Sequence, residues 1–257
     1  MGSHDRLWRN ALDVSATIAV IGLCGTLVWL HLSSRPAASA ASAANQPSRR
    51  QELPPPTAPI SLDGAVLKGS LQAPVGVVEF ADFQCPFCAV FTRDTLPMLE
   101  EQYVRAGKVL FAFRQLPLER IHKVALAAAE AAVCAGDQGR FWEMHDWIFG
   151  NQKTLTPASL RTRALALHLD DKAFAGCVAT GATARVKADI QRAASLQISG
   201  TPTFFVGRIG VDGDVRVTRR LTGARPAAEF IAAIEAALAE DTVPTSNGRT
   251  IKPSSLR

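Results

Sequence analysis

"VEFADFQCPFCAVF", residues 78–91, sets two cysteines three positions apart directly behind an apolar run. The run "VGVVEFADF" (75–83) has the length and composition of a core strand. Beyond it the chain reads as the opening of a helix near Cys85, with Pro86 suited to a first turn where its missing N–H costs nothing. Cys85 and Cys88 could be half of a metal cage, a structural staple or a redox pair. A structural zinc site needs four ligands, commonly two such pairs; this chain has one, and His122, His145 and His168 stand apart, so no metal is expected. A bridge over so short a loop removes little entropy from the unfolded chain, so a mere staple is also disfavoured. Chemistry at sulfur remains. At a helix N-terminus the unpaired amides and the helix dipole stabilise a Cys85 thiolate. Cys88, three residues on, shares its helical face and can reach back to it.

The rest of the chain supplies the setting. Its 257 residues, 47% hydrophobic, can bury a full core. The net charge of +5 comes from scattered Lys and Arg; the doublets Arg49-Arg50 and Arg219-Arg220 are too short for a tract, so no nucleic-acid partner is expected. After a cytoplasmic N-terminus (1–13), only Ser15, Thr17, Thr26 and His31 interrupt an apolar run at 14–32. At ~1.5 Å per residue such a run approaches the ~30 Å of a bilayer core. Arg6 and Arg9 before it suit a cytoplasmic end, although Arg35 follows. This predicts one transmembrane helix, with Cys24 merely packing inside it. Ala38-Ser39-Ala40 has the form of a signal-peptide cleavage site, but the length of the run and the intervening Arg35-Pro36 favour an uncleaved anchor. Either reading sends the remainder out of the cytoplasm, where disulfides persist. Residues 33–59, rich in Ala, Ser and Pro, read as a tether, 60–240 as the globular domain, and 241–257 as a loose tail.

Within the domain, 75–83 and "KVLFAFRQL" (108–116) read as strands around a helix that is kinked or ended near Pro97. Helices follow at 122–136, 140–150, 156–169 (capped by Thr156 or Thr154) and 184–197. Strands return at "PTFFVG" and "VRVTRRLTG", joined by the turn "GVDGD", and 226–240 closes the domain as an amphipathic helix. The order is β-α-β, a block of helices, then β-β-α, an α/β class. Phe141, Trp142, Trp147 and Phe149 have the spacing of helical core rather than of a substrate platform, and His122 and His145 are read the same way.

The block "EFADFQCPFC", with Thr201-Pro202 after "QISG", resembles the DsbA-like branch of the thioredoxin superfamily, close to its membrane-anchored bacterial thiol–disulfide oxidoreductases. The likeness runs over about 60–240. It implies a thioredoxin fold with an inserted helical domain at about 117–197, held in the periplasm by a single pass through the bacterial inner membrane. It also implies that Cys85 is the exposed nucleophile, Cys88 its buried partner, and Glu79 a buried acid relaying protons to or from Cys88; Asp82 is a second candidate. Pro202 would be a cis-proline facing the cysteines, and Thr201 would offer backbone groups to an extended substrate. Pro86, Phe87, Phe91 and Pro202 would contribute to an apolar substrate-binding strip. If Cys85 pairs with Cys88, Cys134 and Cys177 are left to bridge each other, as in some relatives; the alternative is two reduced, buried cysteines. No cofactor is expected. Expected partners are cysteine-containing proteins and a membrane redox protein that resets the pair. The strongest oxidant of the family has histidine where Phe87 stands, so reductase or isomerase stays open beside oxidant, as does a peptide-binding holdase without turnover.

Overall fold

The computed structural model describes residues 53–240. The expected anchor at 14–32, most of the tether and the tail at 241–257 lie outside the described residues, among which no helix is long and apolar enough to cross a membrane. The described chain builds a five-stranded sheet ordered β1-β3-β2-β4-β5 from β1 (Val66–Lys68), β2 (Val75–Ala81), β3 (Val109–Gln115), β4 (Thr203–Ile209) and β5 (Val215–Thr222). β2 and β3 run parallel, and the other three pairings are antiparallel. All seven residues of both β2 and β3 are buried, as expected of central strands covered on both faces.

The period-two alternation of β2 sorts its side chains between two cores. Val75, Val77 and Ala81 join Phe111, Phe113, Phe204 and Phe230 on one face, while Val78 and Phe80 join Leu110, Ala112 and Phe205 on the other. Glu79 shares the parity of the first set and so points into the apolar face that also holds Cys85 and Cys88.

Between β2 and β3 lie α1 (Pro86–Asp94), a short α2 (Leu96–Leu99) and a π-helical turn at Glu100–Val104. The break falls at Thr95, because Pro97 in the first turn of α2 has no N–H for the carbonyl of Arg93. Five helices separate β3 from β4: α3 (Ala125–Gly136), α4 (Phe141–Gly150), α5 (Pro157–Ala166), α6 (Asp171–Thr180) and α7 (Ala182–Ser195); α8 (Ala227–Ala239) ends the domain. Thr156, not Thr154, caps α5 in a reciprocal capping box with Ser159. The sequence reading lacked β1, which is only three residues long, and α6, whose N-terminus is marked by the Asp170 carboxylate accepting from Ala173 N at 2.7 Å. Phe141 and Phe149 are buried and Trp142 and Trp147 pack against them, so that aromatic group is helical core.

A disulfide joins Cys134 on α3 to Cys177 on α6 across 43 residues. Closing such a loop is worth about 4 kcal/mol in the chain-entropy account. The helical layer is tied to the second face of the sheet by a buried ion pair. Arg114 Nη1 donates to Asp189 Oδ1 at 2.6 Å, Arg114 Nη2 donates to the carbonyls of Ser61 and Asp63, and Asp189 Oδ2 accepts from Gln115 N at 3.0 Å. Asp189→Ala would strand the guanidinium, so we expect a loss of about 3–5 kcal/mol. Chemical denaturation should record that loss, and the double variant Arg114→Met/Asp189→Leu should recover most of it.

Candidate active site

The turn from β2 into α1 sets the geometry. Cys85 is the N-cap residue of α1, with φ −70° and ψ 121°, and Pro86 follows in the first turn. Cys85 O accepts the first helical hydrogen bond from Ala89 N at 3.2 Å, and Cys85 N donates to Asp82 O at 3.0 Å. Helical spacing then places Cys88 and Phe91 together on the inward face of α1, leaving Phe87 outward and 62% exposed.

This overturns two expectations. Phe91 is no part of a surface strip: it is fully buried, its ring 4.4 Å from Phe204 and 5.2 Å from Phe230. Cys85 is barely exposed, at 4%, because its sulfur lies under the loop that enters β4, 3.3 Å from the Thr201 carbonyl. Cys88 is wholly buried. The Thr201–Pro202 peptide is cis, with Thr201 half-buried and Pro202 buried; Pro86 is exposed beside Phe87. Val90 and Ile121 are further exposed apolar side chains, on α1 and on the loop after β3.

The two sulfurs occupy opposite electrostatic environments. A hydrogen bond from the Cys88 thiol is the largest influence on Cys85 and lowers its pKa from 9.0 to about 6. Burial opposes that, and the Thr201 side chain and the backbone N–H groups of Cys88 and Phe87 reinforce it. As a thiol, Cys85 can donate to the Thr201 carbonyl; as a thiolate it instead draws on these donors, including a Thr201 hydroxyl that is buried without another partner. Cys88 is pushed far the other way, by burial first, then by its hydrogen bond to Cys85 and by the charges of Cys85 and Glu79. Around neutral pH the reduced pair is therefore one thiolate and one thiol.

Glu79 is fully buried, and neither carboxyl oxygen has a hydrogen-bond partner. Its register neighbours are Phe113 on β3 and Phe204 on β4. Burial raises its pKa well above 4.5, and the Cys85 charge adds to the effect, so the site favours the proton-bearing form of the carboxyl. Asp82, also buried, is placed differently: it accepts from Gln84 N at 2.7 Å and Leu118 N at 2.6 Å, and pairs with His122 Nδ1 at 2.8 Å. It clamps the turn to the loop after β3, and His122, read from sequence as packing, is half of that clamp. Gln84 Oε1 accepts from Val124 N at 2.6 Å. Gln152 Nε2 donates to Phe83 O at 2.8 Å and to Cys85 O at 2.9 Å. No sequence signal marked Gln152, one polar residue in the run "NQKT".

A stabilised thiolate, a buried thiol within its reach and a proton-bearing acid on the same face of the sheet form a centre suited to thiol–disulfide exchange on a thioredoxin-type fold. A family profile described as Thioredoxin matches residues 61–219. The chain belongs to that family, in its DsbA-like branch. It is similar to a "Probable disulfide bond formation protein D" of Bacillus anthracis, 33% identical over 54% of this chain and 67% of that protein. It is also 42% identical, over 58% of its length, to a Salinispora tropica protein named "Na(+)/H(+) antiporter NhaA 3", of which it spans only 22%. Among solved structures, BdbD of Bacillus subtilis superposes with a TM-score of 0.61 at 25% identity, covering 72% of this chain and 99% of that one. Wolbachia pipientis α-DsbA1 gives 0.62 at 23% identity, covering 69% and 92%, and shares the fold.

Two measurements follow from the charges. In the reduced protein, thiolate absorbance should titrate near pH 6 and vanish in Cys85→Ser, while Cys88 stays protonated well into the alkaline range. Unfolded, Glu79 titrates near ~4.3, and between that pH and its raised folded value the native state holds a proton that the unfolded chain has lost, so stability falls as pH rises. Glu79→Gln should therefore raise the Tm of the reduced protein at about pH 8 and leave it nearly unchanged below about pH 4.

Proposed function

We propose that this protein is an extracytoplasmic thiol–disulfide oxidoreductase that passes its Cys85–Cys88 disulfide to cysteines of secreted or periplasmic proteins, working as an oxidant. The observation that carries the reading is the opposed ionisation of the two sulfurs. A stabilised Cys85 thiolate favours the reduced form, and so makes the oxidised form a readier acceptor of electrons. Family membership and similarity to a probable disulfide bond formation protein support the same class.

In the proposed reaction a substrate thiolate attacks Cys85 Sγ and the Cys85–Cys88 bond breaks. Cys88 leaves with the electron pair and takes the proton held on Glu79. A second substrate thiolate then attacks its own sulfur in the mixed disulfide, expelling Cys85 as the thiolate that the helix N-terminus stabilises. Two electrons have moved from substrate to protein. A membrane redox partner would remove them and restore the disulfide. In this reading Thr201, Pro202, Pro86 and Phe87 border the substrate, Cys134–Cys177 is structural, residues 14–32 anchor the chain in the bacterial inner membrane, and 33–59 tether a domain spanning 60–240 with its insertion at about 117–197 and a tail at 241–257. No metal or organic cofactor enters the reaction.

Oxidative refolding of a reduced, disulfide-containing substrate tests this. The wild-type protein should accelerate recovery and Cys85→Ser should abolish the acceleration. Equal activity in both would leave only a peptide-binding holdase. Equilibration with glutathione should give a pair more oxidising than glutathione itself; a markedly more reducing pair would assign the protein to the reductase or isomerase side.

A further inference from the structure

The Gln152 side chain of the helical insertion hydrogen-bonds the backbone of the redox turn. Gln152 opens the 3₁₀ turn Gln152–Thr154 just after α4, and the residue before it is fixed by Asn151 N donating to Ile148 O at 3.1 Å and Asn151 Nδ2 to Trp147 O at 2.8 Å. The same stretch of helix grips the turn from the side: the Phe83 ring lies 5.0 Å from Phe149 and 5.8 Å from His145. While α4 holds that ring, the two N–H bonds of the Gln152 amide hold the carbonyls of Phe83 and Cys85. The second carbonyl also receives the first hydrogen bond of α1. Satisfying both lone pairs of the N-cap carbonyl sets the plane of the peptide after Cys85, and with it the angle at which the sulfur meets the amides of Phe87 and Cys88.

We propose that Gln152 is a positioning residue for the Cys85–Cys88 centre, holding the Cys85 backbone so that its sulfur stays against the donors at the start of α1. It touches no reacting atom and acts through Cys85. Asp82 and Gln84 secure the other edge of the turn to 118–124, so loss of Gln152 loosens the Cys85 peptide without unfolding the turn. The thiolate then loses its alignment with the amides while the hydrophobic contacts of Phe83 persist. Gln152 accordingly governs how acidic Cys85 is and how oxidising the pair is, and through it the inserted helices act on the reaction.

This inference rests on the redox reading of the site, and its test separates the two. In the full-length reduced protein, Gln152→Ala should move the Cys85 titration upward by about half a unit to one unit. The equilibrium with glutathione at neutral pH should then shift about threefold to fivefold toward oxidised protein. Gln152→Asn keeps the amide but is one methylene too short to span both carbonyls; it should give a smaller shift in the same direction, and it carries the test if the alanine variant does not fold. Titrations and redox equilibria of both variants that coincide with wild type would overturn the role of Gln152 alone. A wild-type Cys85 that titrates like an ordinary thiol would instead remove the redox reading beneath it.

Discussion

Everything at this site depends on a negative charge being cheap on one sulfur and costly on its neighbour three residues away. Cys85 sits where the first amides of α1 have no helical partner, and Cys88 sits one turn deeper, in a layer of phenylalanines. The same helix thus supplies both environments. Burial opposes ionisation at both sulfurs; at Cys85 the converging hydrogen-bond donors overcome it, and at Cys88 nothing does.

The sheet is arranged to keep that difference. β2 is buried along its whole length, so the one charge-bearing residue in it cannot reach water, and its parity turns Glu79 to the cysteine side. A carboxyl with no hydrogen-bond partner is a poor structural element, since its isolation costs stability at neutral pH. In the proposed reaction that isolation keeps a proton available on the cysteine side of the sheet. By contrast, the buried carboxylate of Asp189 is fully engaged with Arg114 and Gln115 N and serves to join layers.

The turn that carries Cys85 is gripped from three separate parts of the chain. Asp82 and Gln84 bind it to the loop after β3, Gln152 binds it to the helical insertion, and Thr201 covers the sulfur from the loop that enters β4. A loop alone would not hold a thiolate against amides to within a fraction of an ångström; these contacts make the turn part of the scaffold.

Short-range order was legible from residue types. The strand at 75–83, the helix opening at Cys85, the Thr156 cap and the turn at 210–214 each follow from rules acting within a few positions, and the resemblance carried by "EFADFQCPFC" extended them to a fold. What stayed hidden were contacts between residues far apart in the chain: Thr201 lies 116 positions from Cys85, and Gln152 lies 67. Apolar type alone does not say which side of a helix meets the sheet, which hides the burial of Phe91, and the partners of Gln152, Asp82 and His122 exist only once distant segments are brought to one place. Local pattern therefore singled out the two sulfurs, and the long-range packing of sheet, insertion and cis-proline loop set their electrostatic surroundings.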